Sequence, residues 1–73
     1  MVLEMKVIKV TVDTGNGGKV VSLSHGATIL ELLRKLDLYP DANIVLLKEV
    51  PVPITEILQE DDSVRIVRIA SGG

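Results

Sequence analysis

The 73-residue sequence contains no cysteine, no phenylalanine and no tryptophan, and it has one histidine and one tyrosine. Without cysteine the chain can form no disulfide, no thiolate metal site and no cysteine nucleophile. A lone histidine, His25, set between Ser24 and Gly26 in a loop, removes a histidine-rich metal site as well. Catalysis by the chain's own side chains therefore has little to work with, and neither a bound metal nor a bound cofactor is expected. Net charge is only -2, the basic residues are scattered, and one aromatic is too few to stack bases, so nucleic acid is not an expected partner. No apolar run approaches the roughly 20 residues of a membrane span. Glu4 interrupts the short apolar start, so no signal peptide is expected either. These absences lead to the expectation of a soluble, cytoplasmic, non-enzymatic protein.

What is present is aliphatic. Hydrophobic residues make up 47% of the chain, high for so small a protein. Residues 1–73 are read as one domain, small enough to bury only about 60% of its unfolded surface, so its core must be well patterned. Some apolar surface should remain outside as a contact site on what is expected to be a monomer.

The last ten residues give the strongest signal. Val64 to Ile69 is a run of strand-forming character, and Ala70-Ser71-Gly72-Gly73 follows with almost no side chain to pack. Glycine has maximal backbone freedom, so 70–73 is expected to be a flexible tip bearing a carboxylate.

Upstream, Ile8, Val10 and Val12 alternate with Lys9, Thr11 and Asp13, a half-buried strand opening near Met5 after a loose start at 1–4. Asp13-Thr-Gly-Asn-Gly-Gly18 supplies turn chemistry, with Asn16-Gly17 as the hairpin dipeptide, and Lys19 to Leu23 returns. A phosphate-loop reading of this turn fails: Val20 stands where Ser or Thr is needed, and a strand follows instead of a helix. Thr28-Ile-Leu-Glu31 fits a capping box, and Ile29, Leu32, Leu33 and Leu36 form a helical stripe, predicting a helix over 28–37 ended by Tyr39-Pro40. Ile44–Leu47 is a short strand, Lys48-Glu49 a turn, and Val50–Pro53 an extended piece whose two prolines confine it to an edge. Ile54–Leu58 reads as an apolar connector, one helical turn. Gln59–Ser63, with Asp61 and Asp62, reads as a solvated acidic turn rather than a cation site, having no third ligand nearby.

The order β-β-α-β-β-β places one helix over a mixed four- to five-stranded sheet, an α+β ubiquitin-like β-grasp with the first and last strands central and parallel. From Met5 to Gly73 the chain resembles the ubiquitin-like sulfur carriers and small modifiers: the thiamin-biosynthesis sulfur carrier, the molybdopterin synthase small subunit and the archaeal ubiquitin-like small modifiers. Ala27-Thr-Ile-Leu-Glu-Leu-Leu-Arg-Lys-Leu36, Val50-Pro-Val-Pro53 and the last strand running into Gly72-Gly73 carry the resemblance. In the turn before that strand the family favours Asp-Gly-Asp, where this chain has Glu60-Asp61-Asp62.

The resemblance implies a carrier whose Gly73 carboxylate is adenylated by an activating enzyme that uses ATP, with Gly72 and Ser71 threading the partner's channel. The acyl group would then become a thiocarboxylate delivering sulfur to an acceptor enzyme, for thiamin, molybdopterin or tRNA thiolation. The alternative is an isopeptide to a lysine of a target protein, and the two roles are compatible. A third reading is a non-covalent β-grasp binding module. For the body of the domain, strict alternation with Ile44, Leu46, Val64 and Ile66 facing the helix predicts a partner-binding patch of Val45, Leu47 and Val67 flanked by Arg65.

Overall fold

The computed structural model describes residues 6–69. The expected loose start at 1–4, the strand opening at Met5 and the flexible 70–73 tail lie outside the described residues. Strands β1 (Val7–Asp13) and β2 (Gly18–Ser24) form a hairpin; helix α1 (Ile29–Lys35) follows, then a short 3-10 helix (Pro40–Ala42) and strands β3 (Asn43–Leu47), β4 (Val50–Val52) and β5 (Ser63–Arg68). The sheet order is β2-β1-β5-β3-β4, with β1 and β5 parallel at the centre and the other pairs antiparallel. This is the β-grasp arrangement, and the proline-bearing β4 is at an edge.

Ile8, Val10, Val12, Val21, Leu23, Val64 and Ile66 turn their side chains to the helix, and Ile29, Leu32 and Leu33 meet them with no exposed surface. The capping box forms as read: the Glu31 N–H donates to Thr28 Oγ1 at 3.4 Å and the Thr28 N–H to Glu31 Oε2 at 3.3 Å. The helix is shorter than the 28–37 expected and Pro40 does not end it. Asp37 adopts φ 62, its N–H reaches the Arg34 carbonyl at 3.1 Å, and the Leu38 N–H reaches the Leu33 carbonyl at 2.8 Å. That is a Schellman close with aspartate where glycine is usual. Pro40 instead opens the 3-10 helix. The β1–β2 turn spans four residues with positive φ at Gly15 and Gly17, in place of a two-residue Asn16-Gly17 turn.

The connector before β5 is the larger difference. Ile54–Leu58 forms no helical turn; Ile57 bridges Thr28 as a lone strand pair. A helix start leaves its first N–H groups without intrahelical partners. Here the Ile29 N–H donates to the Glu56 carbonyl at 2.9 Å and the Leu30 N–H to the Ile54 carbonyl at 3.0 Å. The Leu58 N–H answers to the Ala27 carbonyl at 2.8 Å, and its side chain enters the core at 1% exposure.

The acidic turn is likewise tied down. Glu60 Oε2 accepts from the Lys9 N–H at 2.6 Å, the Asp62 carbonyl accepts from the Thr11 N–H at 2.9 Å, and Asp62 Oδ2 accepts from the Gln59 N–H at 2.8 Å. Between them Asp61 sits at φ 67, the left-handed region, at the position where the resembling family carries glycine. A left-handed non-glycine residue costs about 1–2 kcal/mol, and glycine returns about half of that in chain entropy. Asp61→Gly should therefore raise stability by about 0.5–1 kcal/mol, read as a higher urea midpoint at unchanged slope. A lower midpoint would mean that the Asp61 carboxylate itself holds the turn.

Candidate functional site

The face of the sheet away from α1 is where a partner can reach β5. Pairing of β3 with β5 sets Ile44 opposite Val67 and Leu46 opposite Arg65. Directly opposed residues share a face. Ile44 and Val67 are 42% and 40% exposed, and Ile69, two residues along from Val67, is 42% exposed. The Ile69 N–H donates to the Ala42 carbonyl at 2.8 Å, so the chain is held against the end of β3 up to its last described residue. Arg65 projects from the same face, 3.5 Å from Glu49 Oε2 with both side chains largely exposed. Such an exposed pair holds Arg65 weakly and leaves it available to a partner.

This corrects the expected patch. Val45 is 3% exposed and belongs to the core, and Leu47 is half-buried against that core. Their cross-strand partners are Ile66 and Val64, both buried, so Val45 and Leu47 must face the helix as those residues do. Ile44 and Leu46, expected inside, are instead on the outer face. The register is set by the turn: Lys48 and Glu49, both at positive φ, join Leu47 directly to Val50. An unbroken run of four aliphatics carries no alternation from which that parity could be read. Val67 and Arg65 do lie on the outer face as expected. Ser71, Gly72 and Gly73 lie outside the described residues.

Among the described residues no three His, Asp or Glu side chains converge as a metal site, and Asp61–Asp62 is accounted for by the turn. Among the described residues no helix is long and apolar enough to cross a membrane.

Residues 5–70 match the description small archaeal modifier protein 2. The chain belongs to that family. The small-modifier fold extends to solved structures. The N-terminal ubiquitin-like domain in the 4931431F19Rik protein is similar with a TM-score of 0.75 at 15% identity, covering 96% of this chain and 82% of that one. The ubiquitin of Caldiarchaeum subterraneum is similar with a TM-score of 0.65 at 19% identity, covering 93% of this chain and all of that one. Identities this low carry the fold alone. A comparison with curated proteins finds no match. The modifier family match spans the whole described body, from β1 through β5, and stops just before Ser71-Gly72-Gly73.

Proposed function

We propose that this small modifier works as an acyl donor through the Gly73 carboxylate. The observation that carries the reading is the family match from β1 to the end of β5, followed by two glycines in the sequence. An activating enzyme would bind the body and lay residues 70–73 into its ATP site. A Gly73 carboxylate oxygen attacks the α-phosphorus, the new P–O bond forms, and pyrophosphate leaves with the electron pair of the bond that breaks. The carboxylate is a poor electrophile; the acyl-adenylate is a good one because AMP departs readily.

Membership in a modifier family favours an amine as the group that takes the acyl unit. A lysine nitrogen of a target protein attacks the activated carbonyl and loses its proton, the acyl–oxygen bond breaks with its electron pair leaving on AMP, and the isopeptide forms. A sulfur route is the second reading, favoured by the likeness of Ala27–Leu36 and Val50–Pro53 to sulfur carriers. There a partner's persulfide displaces AMP, and a second partner thiol cleaves the S–S bond, leaving the thiocarboxylate on Gly73 and a disulfide on the partner. With no cysteine of its own, the chain would carry sulfur only at that tip. In both routes the catalytic groups and the ATP belong to the partner. Intact mass after incubation with ATP, the activating enzyme and either a lysine-bearing target or a persulfide donor distinguishes conjugate from thiocarboxylate. An unchanged mass in both mixtures would overturn the proposal.

The partner would read Ile44, Val67 and Ile69 with Arg65 beside them. Burying a hot-spot aliphatic at an interface contributes more than about 1 kcal/mol, and an unpaired buried charge costs more still. Ile44→Asp and Val67→Asp should each weaken binding to the activating enzyme about tenfold or more while the unfolding midpoint holds. Val45→Asp, by contrast, should unfold the protein. Equal affinity of both outer-face variants and the parent would move the docking site elsewhere.

A further inference from the structure

The turn between β1 and β2 takes no part in the site described above, and its two halves are held differently. Thr14 to Gly17 join Asp13 to Gly18, which sit opposite each other at the end of the ladder. In the first half the Gly15 N–H donates to Asp13 Oδ1 at 2.8 Å, a side chain folded back onto its own turn. The second half has no such tie. Among the described residues neither the Asn16 side chain nor the Gly17 N–H has a hydrogen-bond partner. Both residues are exposed, and the space that a Gly17 Cβ would occupy is open out to 4 Å.

An asparagine followed by glycine holds an electrophile and a nucleophile within one dipeptide. Attack of the glycine nitrogen on the asparagine side-chain carbonyl carbon closes a five-membered ring, and intramolecular reactions of this kind gain greatly from proximity. Most residues in the second position obstruct that approach with a side chain. Gly17 has none, and its backbone reaches conformations closed to other residues.

We propose that Asn16 is a self-modifying position, converting without an enzyme to a mixture of aspartate and isoaspartate. Hydroxide takes the Gly17 N–H proton, and the nitrogen bonds to Asn16 Cγ. The Cγ–Nδ2 bond then breaks, and its nitrogen takes a proton from water and leaves as ammonia. Water adds to one of the two carbonyl carbons of the resulting succinimide, and the ring opens as the Gly17 nitrogen regains its proton. Opening at Cγ restores the ordinary main chain and gives aspartate. Opening at the Asn16 backbone carbonyl leaves the main chain running through Cγ and gives isoaspartate.

The same chain contains an internal comparison. Its other asparagine is Asn43, whose Nδ2 donates to the Tyr39 carbonyl at 2.8 Å. The residue after it is β-branched Ile44, paired with Val67 in the sheet. Ring closure there would require the ladder to open, so Asn43 should persist while Asn16 is lost.

The position of the turn gives the change a consequence. Arg65 lies opposite Asp13, so Ile66 to Arg68 run on past the end of β1, on the side where the turn lies. The Ile44–Val67 pair belongs to this overhang. No ionisable side chain stands between Asp13 and Lys19, and deamidation adds one negative charge to a formal net charge of -2. A partner docking at that end would therefore meet two charge forms of one chain. The chemistry needs no activation of Gly73, so it stands or falls independently of the acyl-donor reading.

The test holds the full-length protein warm at mildly alkaline pH beside a capped peptide spanning Asp13 to Lys19. Anion exchange, intact mass and peptide mapping follow the charge, the exchange of ammonia for water and its position. Asn16 in the folded protein should convert within about tenfold of the peptide's rate, a barrier difference below about 1.4 kcal/mol. The rate should rise with hydroxide concentration, and fragmentation should find both aspartate and isoaspartate at position 16. The unfolding midpoint should hold, because no core residue lies between Val12 and Val21. Asn16→Gln, whose amide is one methylene too far for a five-membered ring, should keep its charge over the same period. Asn16→Asp should keep its mass yet still yield isoaspartate, the same ring forming with loss of water. A folded-state rate more than about tenfold below the peptide's would show that the fold withholds the reactive geometry, and would overturn the proposal. So would conversion of Asn43 ahead of Asn16, or a charge change that persists in Asn16→Gln.

Discussion

Removing Gly73, or adding one residue after it, is expected to abolish ATP–pyrophosphate exchange with the cognate activating enzyme while leaving the unfolding midpoint in place. The two halves rest on different physics. Every core residue among those described lies at or before Ile66, so the change removes nothing from the packed interior. At the active site of the partner, one residue of chain displaces the reacting carboxylate by up to about 3.5 Å. A misplacement of about 1 Å from in-line geometry already costs about a hundredfold in rate. Equal exchange by the parent, shortened and extended forms would show that Gly73 is not the reacting group.

The second large effect is predicted at a residue with no chemical role. Leu58→Ala should destabilise the protein by about 2–5 kcal/mol, the range for emptying a fully buried leucine site. A chain of this length has a total stability of only about 4–11 kcal/mol, so the variant should lie close to unfolding at physiological temperature. Leu58 is 1% exposed and stands beside α1, where its own N–H is fixed to Ala27. Collapse of the surrounding side chains is therefore restricted and the cavity should persist. A loss below about 1 kcal/mol in chemical denaturation would mean that the connector relaxes into the space.

Leu58 also marks where the sequence stops being legible. In β1, and in Val64 to Ile66 of β5, aliphatic and polar residues alternate, and the parity read from them is the parity observed. The capping box of α1 was equally plain, because Thr28 and Glu31 act on each other locally. Ile54–Leu58 has no period of its own. Its conformation is dictated by unpaired N–H groups at the start of a helix more than 20 residues earlier, a demand visible only once the helix is in place. The docking face failed for a related reason. Ile44–Leu47 is uniformly aliphatic, so its facing is decided by the left-handed pair Lys48-Glu49, residues that give no local hint of a two-residue turn. The correction keeps Val67 and Arg65 and replaces Val45 and Leu47 by Ile44 with Ile69.

The position of β5 between β1 and β3 has a consequence for how the protein is made. The Lys9 N–H finds its Glu60 acceptor across 51 residues of chain, and β1 gains its parallel neighbour only when Ser63 to Arg65 arrive. Pairings that distant close slowly and come late in folding. During synthesis the hairpin and helix would emerge first, with the middle of the sheet still missing. A growing chain therefore presents no Ile44–Val67 face until β5 has emerged and paired with β3. Under the acyl-donor proposal, an activating enzyme that reads Ile44 and Val67 side by side would engage only chains in which β5 has already paired with β3.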